Sequence, residues 1–396
     1  MTFAQKWQRE LASHAPNGER PYREADRGAR ARILWLEACV ITPDQDSGSL
    51  RTLRLLRLLL KLGCKVTFAA DNLLADEPYG QQLRDEGIEV LHAPHVNSMG
   101  EYLREHGGLY DVVTLCRHYI AIQHVDLLRE HHPDTQIWFD TIDLHYLRLR
   151  RQYELDQAPA TLKMAELAYH EESEVISKSD LTIVVSEVEV AELANEQPDA
   201  NVAVISNIHE VACDSPGFDD RTGVMFVGGF QHPPNIDAVE YYASEIWPLL
   251  TERCPDLETY VIGSRMPDRL KKLGESKGLK MLGFVQDLTP YYESCALAIA
   301  PLRYGAGVKG KVNQALSFGL PVVGSAVAFE GMGLTHESEV MVAETAEDFA
   351  EAIARVCTDP ALWQALSEKG GASLAGRFTP DVAEAALRDV LAPWLN

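Results

Sequence analysis

From Arg32 onward, short runs of β-branched, aromatic and other apolar residues alternate with stretches whose leucines and alanines recur at helical spacing. The first series of runs is RILWLEACV, KVTFAA, IEVLHA, DVVTLC, QIWFD, LTIVVS and NVAVIS; the second is GVMFVG, LETYVIG, LKMLGF, CALAIAP, LPVVGS and EVMVA. Strands that are apolar throughout, with helices between them, predict parallel sheets covered on both faces. The chain therefore reads as α/β, with two successive doubly wound domains over residues 32–206 and 223–378. Residues 207–222, dense in turn formers and charge, form the linker. Residues 1–31 are a polar N-terminal extension, with a short helix over residues 3–11 and a Pro/Gly/Arg-rich connector. Residues 379–396 form an amphipathic helix that either closes the second domain or crosses back to the first.

The length of 396 residues exceeds what one core normally supports, and 46% apolar content suffices for two. The formal charge of -23 is spread over both halves, which argues against nucleic acid or an anionic bilayer as the main partner. Seven scattered cysteines without a CxxC pair suggest neither a disulfide framework nor a zinc site. The start of the chain lacks an apolar signal core, and no stretch has the length of a membrane span. These features predict a cytoplasmic protein with at most peripheral contact at the inner membrane face.

In a doubly wound sheet, ligands sit beyond the carboxyl ends of the strands, so two such domains point to the cleft between them. The stretch PLRYGAGVKGKVNQALSFGLPVVGS leaves a strand at Pro301, passes flexible Gly305 and Gly307, and enters a helix over residues 308–318. Amides at a helix start, together with Lys309 and Lys311, make an anion site; the competing reading is a connector with two solvated lysines. Gly228 and Gly229 follow a strand and precede Pro233, Pro234 and Asn235 at a helix start, which lets backbone approach a ligand. Gly263 and Arg265 repeat that arrangement, although Arg265 reads equally as a surface cation.

The ordered set FVGGF…PPNIDAVEYY, YVIGSRMP, GFVQDLTPYYESCALAIAPLRYGAGVKGKVNQALSFGLPVVGS and FEGM resembles the donor-binding half of glycosyltransferase family 4, among the group 1 glycosyltransferases, in the subgroup with a G-A-G-V-K-x-K loop. The resemblance covers residues 222–378. It implies a GT-B fold, two Rossmann-like domains facing each other across a cleft, and transfer from a nucleotide-diphosphate sugar with retention at the anomeric carbon. It also implies no cofactor and no obligatory metal, since basic residues and helix ends stabilise the leaving diphosphate. On this resemblance the donor side comprises Gly228, Gly229, Asn235, Gly263, Arg265, Arg303, Gly307, Val308, Lys309, Lys311 and Gln314. Many members carry two glutamates eight positions apart around this loop, where this chain has Ala306 and Gln314. Many also carry a basic residue in the first glycine loop, where this chain offers His232.

In the first domain, EACVITPDQDSGSLRTLRLL turns at Pro43 and Gly48 and starts a helix near Ser49; it is similar to the family's first glycine loop, beside the acceptor. Arg51, Arg54, Arg57 and Lys61 recur at helical spacing opposite the leucines and predict a solvated face in preference to a lipid-facing one. The strand in IWFDTIDLHYLRLRRQYEL ends near Asp140, which puts Asp143, His145 and Arg148 into the cleft. Family members often place an active-site histidine in this segment; here Asp143 holds the nearest position and His145 follows. Asp143 or His145 is an acceptor-side polar group, the alternatives being turn and cap roles. Arg117 and His118 follow DVVTLC; His118 joins Asp143 and His145 as a catalytic candidate, and Arg117 stands on the acceptor side with Gly48, Ser49 and Arg148.

The expected function is sugar transfer to an acceptor hydroxyl of a glycan or lipid-linked saccharide, in surface polysaccharide or glycolipid assembly. Two other readings stand beside it: a sugar-nucleotide epimerase, and a catalytically silent GT-B module that binds a nucleotide sugar or a partner enzyme.

Overall fold

The computed structural model describes residues 2–12, 14, 19, 21–212 and 216–395. Its first sheet holds β1 (Arg32–Glu37), β2 (Lys65–Ala70), β3 (Glu89–Leu91), β4 (Val112–Cys116), β5 (Gln136–Asp140), β6 (Leu181–Val184) and β7 (Val202–Val204) in the order β3-β2-β1-β4-β5-β6-β7. Its second holds β8 (Val224–Val227), β9 (Thr259–Ile262), β10 (Lys280–Gly283), β11 (Leu297–Ala300), β12 (Val322–Gly324) and β13 (Met341–Val342) in the order β10-β9-β8-β11-β12-β13. Every pairing in both sheets is parallel.

Parallel pairing explains the continuous apolar runs, because both faces of each sheet are covered. Alternate residues of β1 divide between two cores. Ile33 and Trp35 pack with the Ser47–Lys61 helix, whereas Leu34 and Leu36 pack with Ile120, Ala121 and Leu128 of the His118–His131 helix. The second sheet has its own core, centred on Phe226, Val261, Ile299 and Val323. In each sheet the strand order reverses beside the first strand, between β1 and β4 and between β8 and β11. Crevices for ligands open at the carboxyl ends of such neighbours.

The ends of the chain are fastened differently. Short helices Phe3–Lys6 and Gln8–Leu11 occupy the extension and contribute no buried residue. The helix Pro380–Val390 returns to the first domain, where Ala383, Leu387 and Leu391 join the core beneath the Ser47–Lys61 helix. Lys61 pairs with Glu384 at 2.7 Å, and Trp394 meets Trp138 edge-on at 6.4 Å. The linker expected over residues 207–222 is well anchored where it is described: Asn207, Ile208 and His209 are buried, and Arg221 lies over Trp363 while donating to the carbonyls of Tyr292, Cys295 and Phe318. Residues 213–215 lie outside the described residues.

The solvated cationic face expected on the Ser47–Lys61 helix needs correction. Arg51 is only 2% exposed; it donates to Asp140 at 2.7 Å and to the Ile205 carbonyl at 2.7 and 3.2 Å. Arg54 donates to the Ile208 carbonyl, and only Arg57 and Lys61 make exposed pairs, with Glu86 and Glu384. The face is therefore graded: Arg51 binds the carboxyl ends of β5 and β7, Arg54 binds the linker at Ile208, and the last two basic residues meet solvent.

Candidate functional site

The loops at the carboxyl ends of β1, β4 and β5 face those of β8 and β11. The helix Ser47–Lys61 begins two residues earlier than the sequence suggests, because Asp46 caps it by accepting the Ser49 N–H at 2.8 Å and the Ser49 hydroxyl at 2.7 Å. Gly48 lies in the first turn, where an added Cβ would come within 3.6 Å of Arg117 and 3.5 Å of Ile142. Across the cleft, a Cβ at Gly310 would stand 2.5 Å from the Ser47 Cβ. Two helix starts thus meet closely, and glycine is what allows it.

After β5 the chain reverses through Ile142, a β-branched residue at φ 64°, and presents Asp143 at the start of the His145–Asp156 helix. Asp143 Oδ1 lies 3.0 Å from His145 Nε2, and Oδ2 lies 3.1 Å from Arg148 Nη1. Arg148 also reaches His232 of the second domain at 3.4 Å. The His118 ring stands perpendicular to His145 at 4.8 Å, and its Nδ1 lies 2.9 Å from Glu171. Arg117, at φ 66°, donates to buried Glu37 at 3.3 Å.

In the second domain, a Cβ at Gly263 would fall 1.9 Å from the Gly228 carbonyl oxygen, so only glycine permits β8 and β9 to end this close together. Gly228 borders Asn235 and Lys311, and Gly229 approaches the Gln45 carbonyl of the first domain. Lys309 is the N-cap residue of the Gly310–Ser317 helix and donates to the Gly307 carbonyl at 2.7 Å. Lys311 donates to Asn235 Oδ1 and sits 4.3 Å from the centre of the Phe226 ring. Further contacts cross the interface: Asn207 donates to the Val308 carbonyl at 2.9 Å, and Arg151 bridges the Gly305 carbonyl and both oxygens of Glu330 at 2.6 to 2.7 Å.

Residues 221–359 match the family described as Glycosyl transferases group 1. Sucrose-phosphate synthase from Thermosynechococcus elongatus superposes with a TM-score of 0.70 at 16% identity, over 92% of this chain and 98% of that one. TarM superposes at 0.71 and 10% identity, over 92% and 99%. HepE from Anabaena, described in complex with UDP-glucose, superposes at 0.67 and 12% identity, over 92% and 100%. The chain has the GT-B fold. A curated relative from Klebsiella pneumoniae, described as an uncharacterized 44.6 kDa protein in the cps region, is 27% identical over 138 residues. That match spans 33% of this chain and about a third of the relative, 36% of its length.

Within the GT-B cleft, burial and charge set the protonation of each group. Burial pushes the Lys311 ammonium down to about 7, helped by the neighbouring charge of Lys309, and pushes Lys309 down to about 8 despite the opposing pull of Glu330. Burial also lowers His118 and His232, each to about 3, with the Arg148 charge adding to the shift of both; His145 moves in the same direction for the same first reason. Asp143 goes the other way: burial opposes its ionisation, but Arg148 and then His145 hold it far below the usual carboxylate range. The centre of the cleft is thus an anionic Asp143 braced by Arg148 among imidazoles depleted of charge, opposite two lysines that an anion would recharge.

Other predicted residues are engaged away from the Asp143 cluster. Arg303 pairs with Asp237 and lies over Tyr241, both in its own domain. Arg265, exposed and at φ 53°, acts electrostatically on Cys39 at the end of β1. Gln314 accepts from His209 Nδ1 at 3.2 Å and so touches the linker. Two carboxylates escaped the sequence reading, Glu172 and Glu189. Both accept backbone N–H groups of the Asp143 turn.

Proposed function

We propose that this protein is a metal-independent, retaining glycosyltransferase that moves a sugar from a nucleotide diphosphate to a hydroxyl of a glycan or lipid-linked saccharide. The observation that carries the reading is the placement of Lys309, Lys311 and the start of the Gly310–Ser317 helix, with His232 of the same domain, against Asp143 and Arg148 of the opposite domain. The match of residues 221–359 to group 1 glycosyltransferases supports the donor assignment, and HepE, of the same fold, is described with UDP-glucose bound. Work at the cytoplasmic side of a membrane, on surface polysaccharide or glycolipid, is part of the proposal.

The chemistry follows from the charges. The bond from the anomeric carbon to the diphosphate oxygen breaks with its electron pair staying on the phosphate, while the acceptor oxygen bonds to that carbon from the same face. The acceptor proton passes to the departing phosphate oxygen. Lys309, Lys311 and the helix amides stabilise the developing charge as preorganised donors, which act most strongly where water is excluded. Asp143, kept ionised, and neutral His145 and His118 orient acceptor hydroxyls.

Calorimetric and thermal-shift screening of nucleoside diphosphates and nucleotide sugars tests this, using wild type and the Lys309→Ala, Lys311→Ala double variant. One nucleotide sugar is expected to bind tightly to wild type and at least about a hundredfold more weakly to the variant, two charge-assisted contacts being lost. Binding to wild type without turnover over a broad acceptor panel would instead favour the silent module, the reading to which Ala306 and Gln314 lend weight.

The lysines also predict a pH dependence. In the free protein Lys311 titrates at about 7 and Lys309 at about 8, and a bound diphosphate raises both. The protonated forms bind, so affinity is flat below neutrality and falls above it, by at most about tenfold per pH unit for each lysine. Calorimetry at pH 8 in two buffers of different ionisation enthalpy should therefore register proton uptake, which should vanish at pH 6.

A further inference from the structure

Glu172 and Glu189 are each 1% exposed and belong to different helices, Pro159–Lys178 and Glu187–Glu196. Glu172 accepts the N–H of His145 at Oε1 and that of Tyr146 at Oε2, both at 2.9 Å. Glu189 accepts the N–H of Leu144 at 3.2 Å and that of Val185 at 3.0 Å. Three consecutive peptide donors, residues 144 to 146, thus end on two buried carboxylates. Leu144, the N-cap residue of the His145–Asp156 helix, makes no side-chain cap bond, so the helix takes its cap from Glu172.

Capping alone does not require this arrangement. A serine or aspartate at position 144 would cap the helix locally by accepting the N–H of residue 146 or 147, without burying a distant carboxylate. What the two glutamates add is definition of a turn that starts from the disfavoured φ of Ile142. Burial pushes both carboxyls up, while the N–H bonds, which need both oxygens of each as acceptors, pull them back toward the ionised form.

The same segments seat the opposite domain. A Cβ at Gly307 would lie 3.0 Å from Asp143 Cβ, 3.3 Å from Val185 Cγ2 and 3.5 Å from the Ile142 carbonyl oxygen, and one at Gly331 would lie 2.6 Å from Ser186 Cβ. Glu189 therefore ties together, through Leu144 and Val185, the two walls of the notch into which the donor-side loop fits. We propose that Glu172 and Glu189 are positioning residues that hold the turn at residues 142–146 in register with the loop at residues 305–309, so that Asp143 and His145 face the transferring carbon. The catalytic part of this proposal rests on the transferase reading; the geometric part does not.

Glu172→Gln tests both parts, because an amide offers one acceptor and turns a donor toward the second N–H. Protein labelled with 15N-histidine, with the His145 ring signals assigned by their loss in His145→Gln, reports on the turn directly. In Glu172→Gln the His145 signals should shift or broaden while those of His209 stay in place. With the nucleotide sugar that binds, kcat for nucleoside diphosphate release should fall about tenfold or more, the scale of a small misplacement, while Kd changes less than about twofold, as befits lost orientation without lost binding. Should Glu172→Gln not fold, Glu189→Gln leaves the helix cap intact and is held to the same readouts. Unmoved His145 signals, or moved signals with unchanged kcat, would overturn the proposal. If wild type turns over no nucleotide sugar, the transferase reading falls on its own, and the histidine spectra alone decide whether the carboxylates fix the turn.

Discussion

Lys311→Met is expected to lower kcat by about two to three orders of magnitude, the range seen when one preorganised donor to a developing oxyanion is removed. Methionine has a side chain of similar length, can set its terminal methyl over the Phe226 ring where the ammonium now stands, and removes the charge. Asn235 stays oriented, because its amide nitrogen still donates to the Gly229 carbonyl at 2.8 Å. The melting temperature should not fall. Burial already pushes Lys311 down to about 7, so the folded protein gives up stability to keep a cation at this place, and an apolar isostere relieves that cost. Collapse of turnover with equal or greater stability is the pattern of a functional charge. A kcat within about threefold of wild type would remove Lys311 from the leaving-group role, because an oxyanion donor costs far more.

That combination separates what the sequence could disclose from what it could not. The strands were readable because each is apolar throughout, and parallel sheets buried on both faces demand that. The loop after β11 and the helix that follows it were readable because glycine, lysine and a helix start are contiguous over residues 305 to 317. Its cross-domain neighbours were not. The fit of Gly310 against Ser47 and of Gly307 against Asp143 joins residues more than 160 positions apart, and no local pattern announces such a contact. Glu172 stands in AYHEESEV and Glu189 in SEVEVAEL, where glutamates at helical spacing read as solvated faces. Ser186 and Glu189 even have the spacing of a capping box. Ser186 does accept the Glu189 N–H, at 3.4 Å, but the carboxylate serves Leu144 and Val185 instead of closing the box.

Arg51 is the sharpest case of a residue whose surroundings overrule its type, and it carries the largest expected effect on stability. Its spacing with Arg54, Arg57 and Lys61 describes one helical stripe, yet the stripe passes over the carboxyl ends of β5 and β7. There the Asp140 carboxylate, fully buried, has Arg51 at 2.7 Å and the Ile142 N–H at 3.3 Å as its partners. Arg51→Met should destabilise the first domain by about 3 to 5 kcal/mol, the usual cost of leaving one member of a buried pair uncompensated. Adding Asp140→Asn should recover a large part of that loss, since the neutral amide needs no cation. Urea unfolding followed by tryptophan fluorescence measures both, and a single-variant loss under about 1 kcal/mol, the size of an exposed pair, would mean that Arg51 is not paired in this way. Asp140 also holds the N–H of Ile142, the residue immediately before Asp143, so the single variant should lose turnover at temperatures where it remains folded. The double variant tells stability from geometry: if Asp140→Asn restores the unfolding midpoint but not kcat, the pair is there to aim the turn as well as to hold the domain.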